Sequence, residues 1–107
     1  MLLDFAITYE SNAEKAMSII SDVILLHPNF YDNRDDEAKN SGVPPVRVLV
    51  IRFDPSSVVI RAWVWVESSA ISVPMKNDIL LGVQHRFAEA GIDFAYPHTA
   101  IILSDKK

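Results

Sequence analysis

VRVLVIRFDPSSVVIRAWVWV, running from Val46 to Val66, holds two β-rich runs on either side of Asp54-Pro55-Ser56-Ser57. Proline at the second place of that tetrapeptide presets the φ angle of a tight turn. Both runs are dominated by β-branched and aromatic residues, the types that suit a pleated, half-buried surface. The stretch therefore predicts a hairpin. A turn centred on Pro55-Ser56 sets Ile60 opposite Ile51 and Ala62 opposite Leu49, on a face for helices to cover. The other face then collects Val46, Val48, Val50, Val59, Arg61, Trp63 and Trp65. A one-residue slip would exchange the faces, and a bulge at this turn is compatible with the pattern. In either register both faces are too apolar for a lone two-layer domain, whose outer face is normally wet. Two tryptophans on the outward strand face point to a partner surface. Cover by loops or by the chain's own C-terminal segment is the alternative.

Upstream, Leu3, Phe5, Ile7 and Tyr9 alternate with Leu2, Asp4, Ala6 and Thr8, the period of a strand with one core face. Ser11-Asn12-Ala13-Glu14 reads as a capping box, a hydroxyl for an early amide and a carboxylate three residues on. The helix after it places Ala16, Met17, Ile20, Val23, Ile24 and His27 on one side, and Pro28 closes it. Asp32 to Pro45 is polar and charged, which predicts a loop and the most mobile part of the chain.

Downstream, Pro74 suits the first turn of a second helix. Ile79, Leu80, Val83, Phe87 and Ala90 share its apolar face. Gly91 is the left-handed stop, and Ile92-Asp93-Phe94 follows as a short edge strand. The order strand, helix, strand, strand, helix, strand predicts an α+β fold. It is the ferredoxin-like βαββαβ two-layer sandwich, with two helices on one face of an antiparallel sheet. That domain would occupy residues 1–97, with a C-terminal strand and tail over residues 98–107.

The 107 residues suffice for one domain with its own core. Half are hydrophobic and 22% charged, the balance of a folding chain. A net charge of -4 and the lack of any basic run disfavour a nucleic-acid partner. No apolar run reaches the roughly 18 residues of a membrane-spanning helix. No basic start with an apolar core marks a signal peptide.

Without cysteine, disulfides, thiolate metal sites and thiol nucleophiles are impossible. His27, His85 and His98 form no H-x-x-x-H or H-x-H pair. Ser56, Ser57, Ser68 and Ser69 sit at turns and strand ends, where hydroxyls serve the backbone. Glycines at 42, 82 and 91 build no phosphate-binding loop. Asp35, Asp36 and Glu37 in a polar loop read as a solvated turn. No catalytic residue, metal or cofactor is expected.

The chain's second half closes with Gly91-Ile92-Asp93-Phe94, an aromatic-proline pair at Tyr96-Pro97, and Thr99 to Leu103 with strong strand propensity. Joined to Ile7-Thr8-Tyr9 before the first helix, His27-Pro28 at its end and Arg61-Ala62-Trp63-Val64 in the third strand, this order resembles the C-terminal cytoplasmic domain of the small-conductance mechanosensitive channel (MscS) family. His98 stands where glutamine is usual and Asn12 where aspartate is common. The pore helices and β-domain that precede this region in the family are absent from the 107 residues.

The resemblance implies a domain on the cytoplasmic side of the inner membrane, part of a channel opened by tension that releases osmolytes on hypo-osmotic shock. The domain would help build a cage, a ring of identical subunits (a heptamer) with side portals, and would serve assembly and solute filtering. Its partners would be its own copies and the rest of the channel. Arg61, Trp63, Trp65, Tyr96, Pro97, Ile101 and Leu103 are the candidate interface residues, the two tryptophans from the hairpin register and the last two, as the resemblance implies, in a small parallel barrel on the ring axis. The competing reading is a free-standing ferredoxin-like regulatory domain of the ACT type. Such domains bind a metabolite near a glycine-bearing turn after the first strand, and here Glu10-Ser11-Asn12 has no glycine.

Overall fold

The computed structural model describes residues 1–95. In chain order they form β1 (Leu2–Ile7), α1 (Ala13–Leu25), α2 (Asp36–Asn40), β2 (Arg47–Asp54), β3 (Ser57–Trp63) and α3 (Ser69–Ala90). The strands make one antiparallel sheet in the order β1-β3-β2. Ile92-Asp93-Phe94 does not form the expected strand. It runs beside β1 with one antiparallel bridge, Ile7 to Phe94. Thr8 N donates to Asp93 O (3.0 Å) and Ala95 N to Ala6 O (2.9 Å) around it. Tyr96, Pro97, His98, Ile101, Leu103 and the expected C-terminal strand lie outside the described residues.

Near the turn the hairpin has the register read from Pro55-Ser56: Asp54 opposes Ser57, Phe53 opposes Val58 and Arg52 opposes Val59. Beyond that it shifts, because Ile51 is bulged out and Val50 pairs with Ile60. The extra residue reverses the faces of the far half of β2. Val46 is buried, and Val48 and Val50 pack against the core, all three assigned outward by the sequence pattern. Leu49, assigned inward, is 42% exposed. On β3 Ile60 and Ala62 are buried in the core and Arg61 and Trp63 lie on the other side, as expected, but Val59, also assigned outward, is buried at 4% outside that core.

Leu3, Phe5 and Ile7 of β1 join Val58, Ile60 and Ala62 of β3 under α1 and α3. From α1 come Ala16, Ile19, Ile20 and Ile24, and from α3 Met75, Ile79, Val83 and Phe87. Each large aliphatic or aromatic side chain so enclosed stabilises the fold by about 1.5–3 kcal/mol relative to exposure. The two helices thus cover one face, and the other is left outward.

The helix ends differ from the sequence reading in three places, the first being that α1 stops at Leu25, short of His27 and Pro28. Asn12, not Ser11, caps α1, its Oδ1 accepting from Lys15 N at 3.0 Å. Ser11 Oγ instead lies 2.8 Å from Thr8 Oγ1 and accepts from Asp93 N at 3.1 Å, tying the turn after β1 to the segment after α3. Meanwhile α3 begins at Ser69, so Pro74 stands inside it rather than in its first turn. Gly91, at φ 73°, ends the helix in the left-handed conformation that glycine adopts without a Cβ penalty.

The Asp32 to Pro45 segment, read as a plain loop, contains α2. Asp35 caps it by accepting from Ala38 N at 2.7 Å, and Asp36 and Glu37 occupy its first turn, where the helix dipole favours carboxylates.

Candidate functional site

The outward face is built by cross-strand neighbours. Trp63 on β3 stands between Leu2 of β1 and Arg47 of β2, and Arg61 stands between Asp4 and Leu49. Arg61 donates to both oxygens of Asp4, Nε to Oδ1 at 2.7 Å and Nη2 to Oδ2 at 3.0 Å. This charge-assisted fork fixes the guanidinium plane. It holds the Asp4 carboxyl below the usual range and raises the Arg61 guanidinium. The Arg47 guanidinium carbon lies 4.7 Å from the Trp63 ring centroid and that of Arg61 6.0 Å, so the indole has one cation near it from the neighbouring strand β2 and one from its own strand.

At this end of the sheet a groove of about 420 Å³ opens. Trp63, Trp65, Arg47 and Leu2 line one part of it, and Val43, Pro44 and Pro45 another. Trp65, just past the end of β3, is 58% exposed. The wall after α2 is held by Arg34, which donates to Asp32 Oδ1 (Nε, 3.0 Å), Asp32 Oδ2 (Nη2, 2.8 Å) and the Val43 carbonyl (Nη1, 2.9 Å). Its guanidinium pulls the Asp32 carboxyl down to about 2. One arginine therefore joins both ends of the segment that the sequence pattern marked as mobile.

Of the residues singled out from sequence, Arg61, Trp63 and Trp65 come together at this face and groove. Tyr96, Pro97, Ile101 and Leu103 fall outside the described residues. Sequence reasoning missed Asp4, Arg47 and Arg34. Asp4 could have been found, since it is the charged residue on the polar side of the β1 alternation. Arg47 could not, because the unbulged register puts it on the helix side.

Elsewhere the polar groups serve the fold. His27, past the end of α1, lies with Nε2 2.8 Å from Asp78 Oδ2 of α3, while its Nδ1 accepts from Asn29 N at 3.0 Å. Among the described residues no three His, Asp or Glu side chains gather as a cation site. The turn after β1, where a regulatory domain would take its ligand, has its Ser11 hydroxyl committed to Thr8 and Asp93.

Residues 1–94 match the family described as mechanosensitive ion channel MscS, C-terminal. The chain belongs to that family. No curated protein matches it. The MscS match covers all six elements and the Ile7–Phe94 bridge, so the outward face and the groove wall lie within the family domain. It makes the chain part of a mechanosensitive channel protein, and MscS-family channels are oligomeric. No described helix is long and apolar enough to cross a membrane.

Proposed function

We propose that the chain is the cytoplasmic, cage-forming domain of a tension-gated MscS channel, in which seven identical copies stand in a ring and filter the solutes released on osmotic shock. The observation that carries this reading is the aromatic groove at the end of an outward sheet face, with Trp65 58% exposed beside Trp63. Aromatic and arginine side chains in one concave patch are what buried interface centres use. In this reading Arg61 and Trp63 serve assembly. Asp4 is a positioning residue that holds the Arg61 guanidinium flat.

The bridge at the free edge of β1 supports a ferredoxin-like sandwich whose last strand enters beside β1 and whose domain ends near Pro97. Thr99 to Leu103 would then leave the domain and pair with the same segment of neighbouring copies, with Ile101 and Leu103 in the shared barrel.

The experiment is native mass measurement on the 107-residue chain and on a version ending at Pro97. A large oligomer that is lost on truncation, with the domain still folded, is the expected result. A chain that stays monomeric at high concentration overturns the cage reading.

A further inference from the structure

The two ends of the sheet carry different exposed chemistry. At one end is the groove, with Trp63, Trp65, Val43 and Arg47. Arg47 rests over the Trp63 ring and has no carboxylate partner among the described residues, so it can take one from outside. At the other end, beside the Pro55-Ser56 turn, Phe53 and Tyr9 stack with their rings 3° from parallel and their centroids 6.4 Å apart. Phe53 is 70% exposed and Tyr9 50%. The Tyr9 hydroxyl donates to the Asp54 carbonyl, which holds the stack against the hairpin. Glu10 follows Tyr9, exposed and without an ion-pair partner among the described residues.

One end is therefore a concave, aromatic surface with a spare cation, and the other a projecting aromatic pair with a spare anion. They cannot meet within one copy. The strand from Leu2 to Ile7 separates them by about 17 Å, at about 3.4 Å per residue. Two different, complementary patches on one molecule make a head-to-tail contact, the kind that closes into rings when the rotation permits.

We infer that the Phe53–Tyr9 end of one copy seats in the Trp63–Trp65 groove of the next, with Glu10 facing Arg47. The inference rests on the ring proposed above and supplies its contact. Two aromatic side chains bury about 150–250 Å² each, against about 800 Å² per partner in an interface of standard size. The pair is thus the anchor of the contact, and the surrounding hairpin and groove walls supply the remainder.

The test uses the absence of cysteine. Ser56→Cys beside the aromatic pair and Asn33→Cys on the groove wall are both exposed and leave every anchor in place. The two single variants of the 107-residue chain are mixed and treated with a short bismaleimide, and sedimentation velocity is run on the untreated samples. The expected result is a cross-linked dimer in the mixture and none in either variant alone. Arg47→Glu and Glu10→Arg should each weaken association about tenfold, and the double variant should recover most of the loss, since like charges juxtaposed at an interface are strongly disfavoured. An oligomer that gives no mixed cross-link and ignores both charge reversals overturns the head-to-tail contact and leaves the ring. A chain that remains monomeric at every concentration overturns the ring itself.

Discussion

Gly82 of α3 faces Val23 of α1 so closely that a methyl group at position 82 would lie 2.9 Å from Val23 Cγ1. Van der Waals contact between carbons begins near 3.5 Å, so the two helices are spaced for a hydrogen at this point. Val23 is β-branched and half-buried, and has little rotamer freedom with which to step aside. Gly82→Ala gains about 0.8–1 kcal/mol of helix propensity, but the overpacking costs about 1–3 kcal/mol. The net expectation is destabilisation by about 1 kcal/mol. Val23→Ala combined with Gly82→Ala should restore most of it, read as a non-additive double-mutant cycle in urea denaturation. Simple additivity would show that the helices adjust at no cost.

Asp32 offers a pH test. Its carboxyl is held at about 2 rather than 3.8 by the Arg34 fork, so its folded value is depressed. A depressed carboxylate favours the folded arrangement above the unfolded value and ceases to do so as pH falls through the folded one. The tie between Asp32 and Val43 should therefore hold at pH 4 and above, and be lost between about 3.8 and 2. Carboxyl NMR titration should place Asp32 near 2. Arg34→Gln should return it toward 3.8 and remove this part of the pH dependence. A wild-type midpoint near 3.8 would count against the fork.

Pro74 occupies an exposed site in the interior of α3. Lacking an amide hydrogen, it leaves the Ala70 carbonyl without its helical donor, and its ring crowds that carbonyl. Pro74→Ala should stabilise the domain by about 1 kcal/mol, the restored bond outweighing the greater freedom of the unfolded chain. Thermal denaturation reads this as a higher Tm. A lower Tm would mean that proline suits the local backbone.

His27 joins the chain just past α1 to α3. Because its Nδ1 accepts from the Asn29 amide, Nε2 carries the proton and donates to Asp78 Oδ2. The ring is 8% exposed, and it links the end of α1 to α3. Asp78→Ala should destabilise by about 1 kcal/mol, the loss of a hydrogen bond to a charged group at a partly exposed site. Nitrogen chemical shifts near neutral pH should report the Nε2–H tautomer in the wild type. The Nδ1–H tautomer would contradict the pairing.

Much of this was legible in the chain. The alternation of Leu3, Phe5 and Ile7 marked β1 and its buried face. Gly91 marked the end of α3, because a left-handed residue there has no good alternative to glycine. Arg61 and Trp63 could be placed outward, since they stand at the parity opposite to the buried Ile60 and Ala62. The start of α3 was obscured because Pro74 imitates a first-turn proline, whereas Ser69 to Val73 are helical in company with the packed Ile71 and Met75.

What only the tertiary structure decided is the face of β2. Val46, Val48 and Val50 are apolar at one parity and Leu49 and Ile51 at the other, so period alone cannot choose between them. Packing under the helices chose the valines, and the ladder with β3 absorbed the difference by leaving Ile51 bulged. That single unpaired residue turns Arg47 outward onto Trp63. Local propensity carries no information about such a choice, because a bulge is settled by the fit of a whole sheet face against its neighbours and not by the residues that form it.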